Sequence, residues 1–294
     1  MTDATASLAA TPDRARRIAA DRGAMEAFFE ALFRPANWGA RAAYSLGLQG
    51  RLRTSTLTLD THAAPSRAPL RIAFAADFHA GGMTDDRLIQ GACRALSDMR
   101  PDVLLLGGDY VSVRAHDVER VAPLLAAIPA PLGKFGVLGN HDLRADVSAI
   151  TAALEHAGVR LVVNRCVSLP EPFPHVSICG LDDSTRGAPR ADLALDDARG
   201  TRIVLMHSPE TLEEIGDRHF DLALCGHTHG GQVALPWGTP VVMPGSPLNR
   251  RYSQGRHDVG AERPRTLLVS RGIGCSGLPV RLFAAPEVHL CLIT

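Results

Sequence analysis

Five short apolar runs, Ile72–Ala76, Val103–Leu106, Val137–Leu138, Ile203–Met206 and Leu222–Cys225, each give way within a few residues to Asp, Asn or His. Runs this short and this continuously apolar read as strands buried on both faces, and ligands of α/β sheets gather beyond strand carboxyl ends. The motifs that follow them are Asp77-Phe78-His79, Gly108-Asp109, Gly139-Asn140-His141-Asp142, His207 and Gly226-His227-Thr228-His229. Residues scattered over 150 positions are thereby predicted to converge in one site.

A chain of 294 residues, 46% hydrophobic and 21% charged, is long enough for one full α/β core. Helical patterns over Thr84–Met99, Asp117–Ile128 and Val147–His156 separate the early strands and give β-α-β alternation to about residue 163. Later strands are expected near His175–Cys179, Arg202–Met206, Leu222–Cys225, Gln232–Leu235, Thr266–Val269 and Val288–Ile293, as a mixed sheet or a pair of sheets. Thr54–Leu59 alternates like an edge strand, and His62–Pro69 links it to the first core strand, Leu70–Ala76.

Residues 1 to 12 are small and polar and expected to fray. A helix is predicted from Asp13 to Phe33, with Met25, Phe28, Phe29, Leu32 and Phe33 on one face and Pro35 ending it. With Trp38, Tyr44 and Leu46 following, and eight Arg against five acidic residues in the first 53, this segment has the ingredients for lying on an anionic bilayer. The same stripe would equally serve to pack on the catalytic domain. The chain is therefore divided into an N-terminal helical appendage, 1–53, and a catalytic domain, 54–294.

The formal net charge is zero and the basic residues are spread out, so no duplex nucleic acid is expected as a partner. Six cysteines without a CxxC pair read as reduced, buried thiols, which fits a cytoplasmic location. No run approaches the roughly 18 apolar residues of a membrane span, and no apolar region of an export signal follows Arg16-Arg17.

Each motif has its own chemistry. Asp77 and His79 are two apart and, on an extended segment, would point to one side and share an ion. Asp109 follows Gly107-Gly108 and has two oxygens with which to bridge two cations. Asn140 offers an amide oxygen, and the adjacent His141 can face substrate with the carboxylate of Asp142 orienting its ring. His227 and His229 flank Thr228 before Gly230-Gly231, and His207 ends an apolar run. Singly, each motif reads as well as a polar turn or a lone core histidine. Together, five of the twelve histidines fall in this one ordered series.

That order, D-x-H, G-D, G-N-H-D, H and G-H-x-H, resembles the calcineurin-like metallophosphoesterases over about residues 70 to 236. Val269-Ser270-Arg271-Gly272-Ile273-Gly274, continuing through Ser276-Gly277-Leu278-Pro279 to Arg281, is similar to a bacterial membrane- or cell-envelope-associated branch. That branch includes pyrophosphatases acting on a UDP-linked lipid A precursor. The resemblance implies an α/β fold: a metallophosphoesterase-type β-sandwich of mixed sheets flanked by helices. It implies two divalent metal ions (Mn, Fe or Zn), one held by Asp77, His79 and His229, the other by Asn140, His207 and His227, with Asp109 bridging. His141 would protonate the leaving oxygen, with Asp142 as its orienting partner. The family's second motif often reads G-D-x-x-D, whereas here Gly108-Asp109 continues Tyr110-Val111-Ser112, which should alter support of the site without removing metal binding.

The implied reaction is hydrolysis of a phosphodiester or pyrophosphate by a metal-activated water, on a lipid-linked or envelope-precursor substrate at the inner face of the membrane. Arg144, Asp182-Asp183 and Asn249–Tyr252 mark the loops expected to select the substrate, where Arg250 or Arg251 could reach a second phosphate or be solvated surface, the commoner case for such arginines. The alternatives are an enzyme of soluble nucleotides or phosphomonoesters, and a non-catalytic metal-binding scaffold. No oligomeric state is implied.

Overall fold

A computed structural model of the chain describes residues 24–25, 27–61, 68–243, 245–260 and 265–294. Much of the predicted helix Asp13–Phe33 (13–23 and 26) and of the linker His62–Pro69 (62–67) lies outside the described residues. Residues 27–33 are helical (α1), and a 3-10 turn leads to α2 (Trp38–Ser45).

Two six-stranded sheets face one another. The first has the order β1 (Arg53–Leu59), β12 (Glu287–Ile293), β2 (Leu70–Ala75), β3 (Val103–Leu106), β4 (Gly133–Gly136), β5 (Val159–Leu161). The second runs β10 (Gly255–Asp258), β11 (Thr266–Val269), β9 (Leu222–Cys225), β8 (Thr201–Leu205), β7 (Val176–Gly180), β6 (Arg165–Ser168). Both are mixed: β12 is antiparallel to β2, β10 to β11 and β6 to β7, while the central strands are parallel.

Period-2 alternation distributes each strand between two cores. Leu70, Ile72 and Phe74 of β2 point between the sheets and meet Ile178, Ile203, Leu205, Leu222 and Leu224 from the other side. Ala73 and Ala75 point outward beneath α3 (Asp86–Asp98), whose Leu88, Ile89, Ala92 and Leu96 form one apolar face. A third core covers the far side of the second sheet, where Val204, Met206, Ala223 and Leu267 pack under α6 (Ala191–Leu195) and α7 (Leu212–Ile215). Burial of each large side chain contributes roughly 1.5–3 kcal/mol, so three stacked cores explain why the inner runs are apolar at every position.

Several expectations are corrected. The helix predicted over Asp117–Ile128 is a 3-10 segment, Ala115–Arg120, followed by a short α4, Ala122–Ala126, because Pro123 lacks an N–H and starts a new helix instead of continuing one. The strand expected at Val137-Leu138 is β4, Gly133–Gly136, just ahead of that signal, and its two glycines hide it in the sequence. Gln232–Leu235 makes only isolated bridges, Val233 with Leu282 and Ala234 with Pro240, since Gln232 has φ 59° and cannot start an extended ladder. α5 occupies Val147–His156 as expected, capped by Asp146 accepting from Ala149 N. Cys166 and Cys179, directly opposed across β6 and β7, form a disulfide, so the expectation of six reduced thiols fails at these two. Register alone brings their sulfurs together; the other four cysteines are free and buried.

The described residues ahead of β1 are seated on the layers that follow. Gln49 is fully buried, donating to Met83 O (2.6 Å) and Pro279 O (3.3 Å) and accepting from Asp85 N (3.1 Å). Arg34 makes a two-pronged pair with Asp117 (3.0 and 3.1 Å). Met25, Phe28 and Leu32 face outward. Among the described residues no helix is long and apolar enough to cross a membrane.

Candidate metal centre

Loops leaving β2, β3, β4, β8 and β9 carry all nine residues singled out in the sequence to one place at the strand carboxyl ends. Three overlapping groups of donor atoms, each within 4.8 Å, arise there: Asp77, His79 and His229; His79, Asp109 and His141; Asp109, His207 and His227. Asp109 belongs to two of them. Its Oδ2 lies 3.5 Å from His79 Nε2 and 3.3 Å from His207 Nε2, between the two outer groups. Asn140 Oδ1 sits 3.1 Å from His207 Nε2, and His227 Nδ1 is 3.2 Å from the same nitrogen. On the other side His79 Nε2 and His229 Nε2 are 3.0 Å apart, with Asp77 Oδ1 3.6 Å from the latter.

The motifs are not extended, as the two-apart spacing had suggested. Asp77, His79, Asp109, His227 and His229 all have φ between 44° and 71°, the left-handed region that non-glycine residues avoid at a cost of about 1–3 kcal/mol each. Surrounding hydrogen bonds hold these turns: Asp77 N to Gly108 O (2.9 Å), His79 N to Asp109 O (3.0 Å), and His227 N to both Asp77 carboxylate oxygens (3.0 Å each). A Cβ at Gly139 would land on the Asp109 carboxylate, so only glycine lets these two turns close on one another.

Asp142 departs from its expected role. Its carboxylate accepts from the backbone N–H of Asp109 (2.8 Å), Tyr110 (2.9 Å), Val111 (3.3 Å) and Gly139 (2.9 Å), so it ties the β3 and β4 loops together and does not orient His141. The His141 ring is held by Ser112, whose carbonyl lies 2.6 Å from Nδ1. A carbonyl only accepts, so Nδ1 carries the hydrogen and Nε2 is the free ring atom. His207 is fixed the same way by Gly107 O, 2.8 Å from its Nδ1, which turns Nε2 to the centre.

Burial dominates the electrostatics. It pushes Asp77 and Asp142 up to about 7, with the Asp109 charge adding to the rise. Asp109 goes the other way: burial would raise it, but His207 and His141 hold it well below the carboxylate range. Burial opposes the charge on His207, yet Asp109 lifts it well above the usual histidine value. Burial with neighbouring positive charge lowers His79 and His229 strongly and takes His227 to about 3. In the metal-free site Asp109 and His207 thus favour a carboxylate–imidazolium pair, and burial favours the neutral form of His79, His227 and His229.

This donor set fits divalent cations. Carboxylate–imidazole spacings of 3.3 to 3.6 Å exceed the ~2.7–2.9 Å of charge-assisted hydrogen bonds. They match ligand atoms placed ~2.0–2.2 Å from a common ion.

Two supporting residues escaped sequence reasoning. Arg281 was noticed only as part of the C-terminal resemblance, but it is buried and its Nη2 lies 3.0 Å from His229 Nδ1, with further bonds to the carbonyls of Gly274, Arg271 and Ala284. Ser112 stands where the resembling motif has a second Asp; its Oγ donates to His79 O (3.1 Å) and its carbonyl fixes His141. No local pattern marks a residue that acts through its carbonyl. Of the selectivity loops, Asp183 is buried and accepts from Thr185 and Arg186 N–H, while Arg250 and Arg251 are exposed on α8 (Pro247–Arg251).

Comparison with known proteins agrees with this geometry. The profile of the calcineurin-like phosphoesterases matches residues 70–231. The chain is 32% identical to phosphodiesterase YaeI of Escherichia coli over 231 residues, 76% of this chain and 82% of YaeI. It is 32% identical to the metallophosphoesterase YkuE of Bacillus subtilis over 202 residues, 66% of this chain and 68% of YkuE. Similarity at 27% identity over 273 residues extends to the UDP-2,3-diacylglucosamine pyrophosphatase LpxG of Chlamydia trachomatis, covering 75% of this chain and 82% of LpxG. The chain belongs to the calcineurin-like phosphoesterases and is a metal-dependent phosphoric ester hydrolase.

Proposed function

We propose that the chain hydrolyses a phosphodiester or pyrophosphate bond at a dinuclear centre, one ion held by Asp77, His79 and His229, the other by Asn140, His207 and His227, with Asp109 bridging. The observation that carries this reading is the place of Asp109 Oδ2, 3.5 Å from a histidine of one group and 3.3 Å from a histidine of the other. Two such ions, Mn, Fe or Zn by donor type, supply a lowered water pKa and charge stabilisation for in-line displacement. With both ring nitrogens protonated, His141 gives its Nε2 proton to the leaving oxygen while Nδ1–H stays on the Ser112 carbonyl. Asp142 keeps the Asp109 and Asn140 turns in register. Arg281 holds His229 from behind.

A lipid-linked substrate is favoured by apolar side chains around the site. Trp237, Val242 and Phe283 are more than half exposed on loops joined through the Val233–Leu282 bridge to the strand-end turn that carries His229. Phe28 and Leu32 add an outward apolar ridge on α1, with exposed Met25 just ahead of it, suited to the inner face of an anionic membrane. The name of LpxG points to a substrate of the same kind. Hydrolysis of an activated diester beside the matching monoester, with metal-free protein reloaded with Mn, tests the reaction. Vesicle co-sedimentation with anionic lipid tests the surface, and a preference for soluble cyclic or linear nucleotides would move the substrate to the second reading.

A further inference from the structure

The N-terminal segment contributes one carboxylate to the wall of the site. Glu30 of α1 is only 3% exposed, although it comes from a helix whose other face is open to solvent. Its Oε1 accepts from Gly82 N at 2.6 Å and, more distantly, from Arg34 Nη1 at 3.4 Å, and Oε2 is buried with no hydrogen-bond partner among the described residues. Gly81 and Gly82 make this approach feasible. A Cβ on Gly81 would meet Glu30 Oε1 at 2.9 Å, Oε2 at 3.1 Å and Ser112 Cβ at 3.0 Å; one on Gly82 would meet the α1 backbone at Glu30 O, 3.1 Å. Glu30 and Ser112 therefore border the same point.

Glu30 and Ser112 also line a cavity of about 10 Å3 with Met83, Val113, His141, Ser276 and Gly277. That is room for about one water molecule. Burial raises the Glu30 carboxyl above its ordinary value, against the Gly82 N–H, which lowers it. The helix is anchored one turn later, where Arg34 grips Asp117.

We propose that Glu30 is a positioning residue of the hydrolytic site, holding the Gly81–Gly82 turn against Ser112 so that the Ser112 carbonyl keeps His141 in place. The link is short: Ser112 N donates to Ala80 O (3.0 Å), Ser112 Oγ to His79 O (3.1 Å), and His141 Nδ1 to Ser112 O (2.6 Å). Position 112 is a serine, with no carboxylate of its own, and α1 brings one to its side. The proposal rests on His141 acting as the proton donor, as above, and makes α1 part of the active-site wall instead of an appendage.

The test is Glu30→Ala, with and without His141→Ala, read in two ways. The first is steady-state kinetics on the diester with metal content measured. The second is the His141 Nδ1–H signal of the metal-free protein by NMR, which needs no activity. Displacement of a supporting group by about 1 Å can lower turnover up to ~100-fold. Glu30→Ala is expected to lower kcat by about ten- to a hundredfold with KM and metal content held, and to shift or broaden the His141 signal. Glu30→Gln keeps an acceptor for Gly82 N–H and recovers most of both. In the His141→Ala background Glu30→Ala adds little further loss. An unmoved His141 signal, or an equal loss with and without His141, overturns the proposal. Should Glu30→Ala fail to fold, Glu30→Met fills the same space without an acceptor and is read the same way. If the wild type cleaves no ester, the assigned reaction falls, while the His141 signal still decides the role of Glu30.

Discussion

Asp142 shows how one side chain organises several turns. Its carboxylate collects four backbone N–H groups from two loops, and its removal would leave buried donors without partners. Each such orphan costs ~1–3 kcal/mol. Asp142→Ala should therefore destabilise the metal-free protein by at least ~3 kcal/mol, measured by urea unfolding. His141→Ala behaves differently: kcat on the diester falls by ~100- to 10,000-fold, while metal content and unfolding midpoint stay close to wild type. Gly139→Ala puts a methyl group on the Asp109 carboxylate and is expected to reduce the number of ions bound, read by elemental analysis of the purified protein.

At the scale of elements, β12 is tied to the loop after β11 by a buried ion pair. Glu287 at its start accepts from Arg271 N (2.8 Å) and from the Arg271 guanidinium. Burial would raise this carboxyl, but His289 and Arg271 together take it down to about 2. A carboxyl with a lowered folded-state value stabilises the fold above its unfolded value near 4.5 and loses that contribution as pH falls toward 2. Each unit within that window is worth up to about 1.4 kcal/mol. Urea unfolding at pH 5 and pH 3 should show a smaller drop in Glu287→Gln than in the wild type. The outward face of α1 makes another element-scale prediction: Phe28→Ser with Leu32→Ser lowers co-sedimentation with anionic vesicles and leaves hydrolysis of a small soluble diester unchanged.

Elements differed in how openly the sequence announced them. Strands of the inner layers are apolar at every position because both faces are covered, and α3 and α5 have clear faces and acidic caps, so these were readable. β4 was shifted by its glycines, β6 and β10 are half-exposed edges with polar residues, and the Pro123 break lies inside an otherwise helical pattern. The metal-centre residues were legible because donor side chains of the right types follow strand ends in a fixed order. The left-handed turns that present them are not legible in the same way. Left-handed backbone at Asp77, Asp109 or His229 is imposed by tertiary hydrogen bonds, which no local pattern records. The same holds for Ser112 and Glu30, whose parts depend on contacts 29 and 52 positions away in the chain.

For the whole molecule, two facing sheets carry nine polar residues from five loops to one end, and the described N-terminal elements close against that end through Glu30, Arg34 and Gln49. A cation held by this cluster would bind the folded chain and not the unfolded one, so metal binding and folding are linked. Ligand at 100 times its dissociation constant adds ~2.7 kcal/mol per site; chelation should lower the melting temperature and readdition of Mn should restore it. The central claim, two cations sharing Asp109, is tested most directly by counting ions per chain in metal-reloaded wild type, His227→Ala and His229→Ala. Two ions are expected in the wild type and one in each variant. A wild type that holds one ion at saturation, or two that both survive the His229 substitution, would contradict it.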